Sequence, residues 1–154
     1  MTDRILKALI SAIVGSIALL YLAHNLANIG MAFDFFTYTA NPVTLLPVPP
    51  PWLIVIAMAL VFAMEGAAAL LCLYGAWHLF ALRRADVAAF ERGKRWTRIG
   101  LGCAILNWWG LFQRVAVAGY QLWQMPLGEG PMMGSWAYGA IAMPSLIHVS
   151  QRGD

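Results

Sequence analysis

The sequence predicts an all-α integral membrane protein folded as a four-helix bundle, with both termini in the cytoplasm. Composition, four long apolar runs and a one-sided distribution of basic residues predict it. Of 154 residues, 61% are hydrophobic and 11% charged, and the mean hydropathy is +0.69, whereas a soluble domain carries ~25% charged residues. So much apolar surface excludes intrinsic disorder. The net charge of +3 arises mostly in one short loop, which argues against a nucleic-acid partner. Two cysteines do not make a disulfide framework.

The apolar runs cover about residues 5–28, 52–82, 99–123 and 132–150. Each is long enough for the ~20 helical residues that cross a ~30 Å hydrocarbon core. None shows the period-two alternation of a membrane strand, so helices are expected. The first reads as a span rather than a cleaved leader. Its apolar stretch exceeds a signal-peptide core, and Ala23-His24-Asn25 is a poor cleavage site.

Two connections set the topology. Residues 29–51 form a proline-rich outer loop in which Pro47-Val48-Pro49-Pro50-Pro51 is a stiff lead-in to Trp52. Residues 83–98 form a basic loop with Arg83, Arg84, Arg92, Lys94, Arg95 and Arg98, six of the ten basic residues. With Arg4, Lys7 and Arg152 on the same side, the positive-inside rule places the termini and this loop in the cytoplasm. Trp52, Trp123 and Trp136 fall near the outer interface and Trp77 and Trp96 near the inner one, the places of headgroup anchors.

Glu65 stands out near the middle of the second span, on one face with Ala69, Cys72 and Ala76. An ionisable group at that depth costs ~2.5–3.5 kcal/mol on insertion scales and must face protein or water. Two readings remain open: a protonated carboxyl hydrogen-bonded between helices, or a proton relay or ligand contact. On the third span Gly100, Cys103, Ala104, Asn107, Gly110, Arg114, Ala118 and Gln121 share one face at the α-helical period. Small residues there admit a close neighbour and polar ones tie helices together. Asn107 matches Glu65 in depth. Arg114 lies further out, near His24, Asn25 and Asn28, and snorkels, meets an acid of the outer loops or holds an anionic headgroup.

His78 and His148 both lie toward the cytoplasmic ends of their spans and share a depth, which admits a haem; His24 lies at the other end. Against a haem, His78 sits among Trp77, Arg83 and Arg84, and His148 follows the helix-kinking Pro144. Cys72 and Cys103 lack the spacing of a metal or iron–sulfur site and are expected as thiols. No nucleotide-loop, zinc-protease or nucleophile-elbow motif occurs, so no metal and no catalytic residue are expected.

The stretches LKALISAIVGSIALLYLAHNLANI, EGAAALLCLYGAWHLFALRRA and AGYQLWQ resemble the bacterial family of predicted small integral membrane proteins, the domain of unknown function 2165. The resemblance implies four spans, places its glutamate on Glu65 and its Trp-Gln pair on Trp123-Gln124, and implies no activity. The proline-rich loop and the last span, with Pro144 and a QRGD end, depart from the pattern.

The preferred functional expectation is a non-catalytic accessory subunit of a larger inner-membrane complex, respiratory or photosynthetic, whose partners are lipids and other transmembrane subunits. One alternative is a redox protein binding haem b or quinone through His78 and His148. Another is a small carrier or channel that uses Glu65, although transporter-like repeats are absent from the sequence. Bound lipid or pigment is compatible with the same pattern.

Overall fold

The computed structural model describes residues 1–44 and 46–152. Among them the chain is all-α. Helix α1 (Thr2–Ala27) is continuous until Asn28, whose φ of −124° and ψ of 43° break the ladder. The chain then re-enters a helix, α2 (Ile29–Thr39), inside the segment that reads as loop in sequence. Packing explains the difference. Phe35 and Phe36 of α2 line an apolar cavity together with Leu53, Ile54 and Leu60, so tertiary burial stabilises a helix too short to persist alone.

An extended Pro50 (φ −64°, ψ 153°) delivers Pro51 to the first turn of α3 (Pro51–Ala81). Proline is at home there because its missing N–H has no intrahelical partner in any case. A short 3₁₀ turn, Leu82–Arg84, follows. Asp86 then caps α4 (Val87–Gly93) by accepting from Ala89 N at 2.8 Å. Helix α5 (Arg95–Ile105) continues without a break into a wide π-helical stretch, Leu106–Gly119. Gln121 reverses the chain in the left-handed region at φ 55°, and a turn at Leu122–Gln124 leads to α6 (Glu129–Ser150), which contains Pro144.

Helix α1 packs along α3, α3 along α5, α5 and the π stretch along α6, and α6 back against α1. The ring closes on a core of Val14, Ala18, Ala68, Ala69, Cys72, Leu101, Ala104, Trp108, Tyr138, Ala142 and Val149. Small residues allow the approach. A Cβ added at Gly75 would lie 2.7 Å from the Thr97 backbone nitrogen, and one at Gly100 would lie 2.8 Å from that of Cys72. These two contacts set the α3–α5 register. At Gly110, by contrast, a Cβ would meet nothing nearer than Leu106 of its own helix, at 3.7 Å. The close helix approach expected at Gly110 therefore lies elsewhere.

Candidate functional site

The inward stripe of α1 carries Lys7, Ser11, Gly15, Ala18 and Asn25 at three-, four- and seven-residue steps. Its apolar members fill the core, and its polar members meet α3 and the chain's other end. Ser11 Oγ donates to the Cys72 carbonyl at 2.8 Å and lies 3.2 Å from Thr97 Oγ1, joining α1, α3 and α5 at one level. Higher on the stripe, Asn25 Nδ2 donates to Glu65, 3.1 Å from Oε2 and 3.4 Å from Oε1. Glu65 is only 4% exposed.

The amide that meets Glu65 is therefore Asn25's. The sequence places Asn25 at the outer end of a span because α1 looks complete there. Since α2 continues the path along α3, Asn25 instead stands midway along α3. Asn107 is 2% exposed, and its Oδ1 has no hydrogen-bond partner among the described residues. Next to it Tyr21, Trp108 and Tyr138 form an aromatic layer, with Trp108 and Tyr138 ring centres 4.2 Å apart. Tyr138 Oη donates to the Val14 carbonyl at 2.6 Å, tying α6 to α1.

The polar face expected on the third span holds only to Asn107. Gly100, Ala104 and Asn107 are buried, Cys103 and Gly110 are half-buried, and Arg114 and Ala118 are exposed. The π stretch begins at Leu106, and a wider helix turns less per residue than an α-helix. The stripe consequently drifts off the packed face over the next turns. Arg114 makes no hydrogen bond or ion pair among the described residues, and neither His24 nor an acid reaches it. Gln113 does point inward from this stretch: its Nε2 donates to Ser135 Oγ at 2.5 Å and to the Met132 carbonyl at 3.2 Å, holding the first turns of α6.

The basic end is built from residues that in the sequence only mark the cytoplasmic side. Lys7 and Lys94 are 1% and 0% exposed. Both donate to the Gln151 carbonyl, at 2.9 and 2.6 Å, and each has its own acid, Asp3 at 2.7 Å and Glu91 at 2.5 Å. The carbonyls at a helix C-terminus lack intrahelical donors, and cations complement the dipole there. Arg98 adds a contact to the Ser150 carbonyl at 3.4 Å, and Arg4 reaches the Ala85 carbonyl at 2.6 Å while lying over the Phe90 ring. Burial draws the Lys94 ammonium below the ordinary lysine range, and its hydrogen bond to Glu91 opposes that shift. The signal for Lys7 was its place on the stripe with Ser11, Gly15 and Asn25.

The histidines have separate surroundings. His78 stacks on Tyr74, and its buried Nδ1 has no hydrogen-bond partner beside Gly93. His148 Nε2 lies 3.5 Å from Asp3 Oδ1. Among the described residues no three His, Cys, Asp or Glu side chains converge as a metal site. Cys72 and Cys103 are free thiols, the first buried and the second half-buried. Trp52, Trp77, Trp123 and Trp136 are exposed, and Trp96 is partly covered by Tyr74. A cavity of about 220 Å³ lies between α2, α3 and the π stretch, its lining including Phe35, Leu53, Phe112 and Tyr120. A shallower groove of about 430 Å³ runs between α1 and α6 past Ile13, Ile141 and Pro144.

A model of the family of predicted small integral membrane proteins, DUF2165, matches residues 3–152. The chain belongs to that family. No curated protein and no solved structure matches it. The membership agrees with the helices of this DUF2165 chain. Thr2–Ala27 and Pro51–Arg84 are, among the described residues, the two helices long and apolar enough to cross a membrane.

Proposed function

We propose that this DUF2165 protein is a four-span, non-catalytic subunit of a larger assembly in the bacterial inner membrane, with its termini and basic loop on the cytoplasmic side. One observation carries the reading: nearly the whole chain lies in helical rods whose outward faces are apolar. Leu20, Leu26, Val55, Ile56, Leu70, Ile141 and Ile147 are all exposed. Such a surface offers helix faces to other membrane subunits and to lipid. The polar groups inside serve internal ties: Ser11 to Cys72, Asn25 to Glu65, Gln113 to Ser135 and Tyr138 to Val14.

The basic end supports this orientation. Arg4, Lys7, Lys94 and Arg98 meet there with the last turn of α6, and clustered Lys and Arg favour the cytoplasmic side. With α1 and α3 as two of the crossings, α5 with its π stretch and α6 complete an even number. The apolar cavity between α2, α3 and the π stretch then faces the outer leaflet and takes lipid chains.

The test is extraction of the tagged protein from its own host in mild detergent, followed by native mass and identification of co-migrating proteins. The reading predicts a particle several times the 16.9 kDa chain mass with the same foreign membrane subunits at fixed ratio. A particle made of this chain alone would overturn it.

A further inference from the structure

Glu65 and Asn107 are linked by register. Gly75 of α3 faces Thr97 of α5, and Cys72 faces Gly100. Moving along both antiparallel helices, Ala68 and Ala69 come level with Ala104, and Glu65 level with Asn107. Both residues lie on the facing stripes: Glu65, Ala68, Cys72 and Gly75 are buried on α3, and Thr97, Gly100, Ala104 and Asn107 are buried on α5 and its continuation.

The hydrogen-bond inventory at this level is unbalanced. Among the described residues the Glu65 carboxyl accepts from Asn25 alone. Across from it, Asn107 Oδ1 is a buried acceptor with no donor. A buried acceptor left unpaired is costly, and a proton on Glu65 would supply the donor that Asn107 Oδ1 lacks. Among the described residues no charged side chain pairs with Glu65 to neutralise it. The ionisable group that interacts with it is Tyr138 on α6, which also has Tyr21 on α1 and Cys72 on α3 about it, and His24 beside Asn25 is exposed. In addition, the α-to-π transition starts at Leu106, next to Asn107, and π-helical turns recur at functional sites.

We propose that Glu65, Asn107 and Asn25 form a proton-binding site within the helix packing, in which the protonated Glu65 carboxyl donates its O–H to Asn107 Oδ1 while Asn25 Nδ2 donates to the other Glu65 oxygen. The bound proton satisfies the acceptor on Asn107 and leaves the site without net charge. This inference stands apart from the subunit reading, since the site lies inside one chain.

Infrared spectroscopy of the purified full-length protein in lipid at neutral pH tests it. The expected spectrum contains a protonated-carboxyl carbonyl band that moves in deuterated buffer and is lost in Glu65→Gln. Asn107→Leu shifts that band to higher frequency by removing the acceptor, and Asn28→Leu leaves it in place. If Asn107→Leu does not assemble, Asn107→Ala gives the same readout. Absence of a Glu65-dependent band, or a band unmoved by loss of the Asn107 amide, would overturn the proposal. Na⁺ added at fixed pH leaves the band unchanged; its disappearance on adding Na⁺ would show that a metal cation, not a proton, is the occupant and would equally overturn it.

Discussion

Asn25 Nδ2 stands 3.1 Å from Glu65 Oε2, which joins the last turns of α1 to the middle of α3. Removing one side of an interhelical hydrogen bond in a membrane protein costs on the order of 0.6–2 kcal/mol. Asn25→Leu is therefore expected to lower stability by about that amount, measured by unfolding in mixed micelles. Asn28→Leu serves as the control. Asn28 Nδ2 reaches only the His24 carbonyl of its own helix, at an exposed position, and its replacement should shift the midpoint by less than Asn25→Leu does.

Glycine substitutions should separate by contact rather than by position in the sequence. A Cβ at Gly75 or Gly100 meets backbone of the neighbouring helix within 3 Å, so Gly75→Val and Gly100→Val force α3 and α5 apart. Overpacking of this kind costs ~1–3 kcal/mol. Gly102 has nothing within 4 Å of an added Cβ. There Gly102→Ala should gain ~0.5–1 kcal/mol from helix propensity. Thermal unfolding of the variants side by side checks the contrast, and equal losses for Gly100→Val and Gly102→Ala would contradict the packing described.

Lys94 predicts a pH dependence with a definite sign. Desolvation first, with Lys7 and Arg98 adding to it, lowers its value in the folded state below the ordinary 10.5, against the pull of Glu91. Between the folded and unfolded values the unfolded chain holds more protons, so stability contributed by this group rises with pH through that window. Below the window the cost of burying the ammonium is fully present. Unfolding measured from neutral pH up to 10.5 should therefore show a positive component in the wild type that Lys94→Met lacks. An identical slope in the two proteins would show that Lys94 does not titrate as its burial requires.

Much of the fold can be read in the apolar runs, and the misreadings have identifiable causes. The runs that became α1 and α3 are continuous and charge-poor, so hydropathy alone finds them. Helix α2 is not visible that way, because the prolines after it dominate the reading of residues 29–51 and its stability comes from Phe35 and Phe36 packing beside α3. The missed α2 in turn misplaces Asn25 in depth. The third helix misleads for another reason. Its polar stripe is drawn at the α-helical angle, which holds through Asn107 and fails once the helix widens, so Arg114 leaves the packed face. Lys7 and Lys94 resemble ordinary loop charges until the carbonyl end of α6 is seen to need donors. Glu65 was legible because an isolated acid in an apolar helix has few stable surroundings.

The central claim is that all four rods cross the membrane with the basic end inside, and single-cysteine labelling in intact cells tests it most directly. In a variant with Cys72 and Cys103 replaced by Ala, cysteines are placed at Val48, Arg92, Leu127 and Arg152, all exposed positions. The account predicts that a membrane-impermeant thiol reagent reaches Val48→Cys and Leu127→Cys once the outer barrier is opened, and reaches Arg92→Cys and Arg152→Cys only after lysis. Labelling of Leu127→Cys and Arg92→Cys from the same side would mean that the third rod does not cross, and would contradict the four-span arrangement.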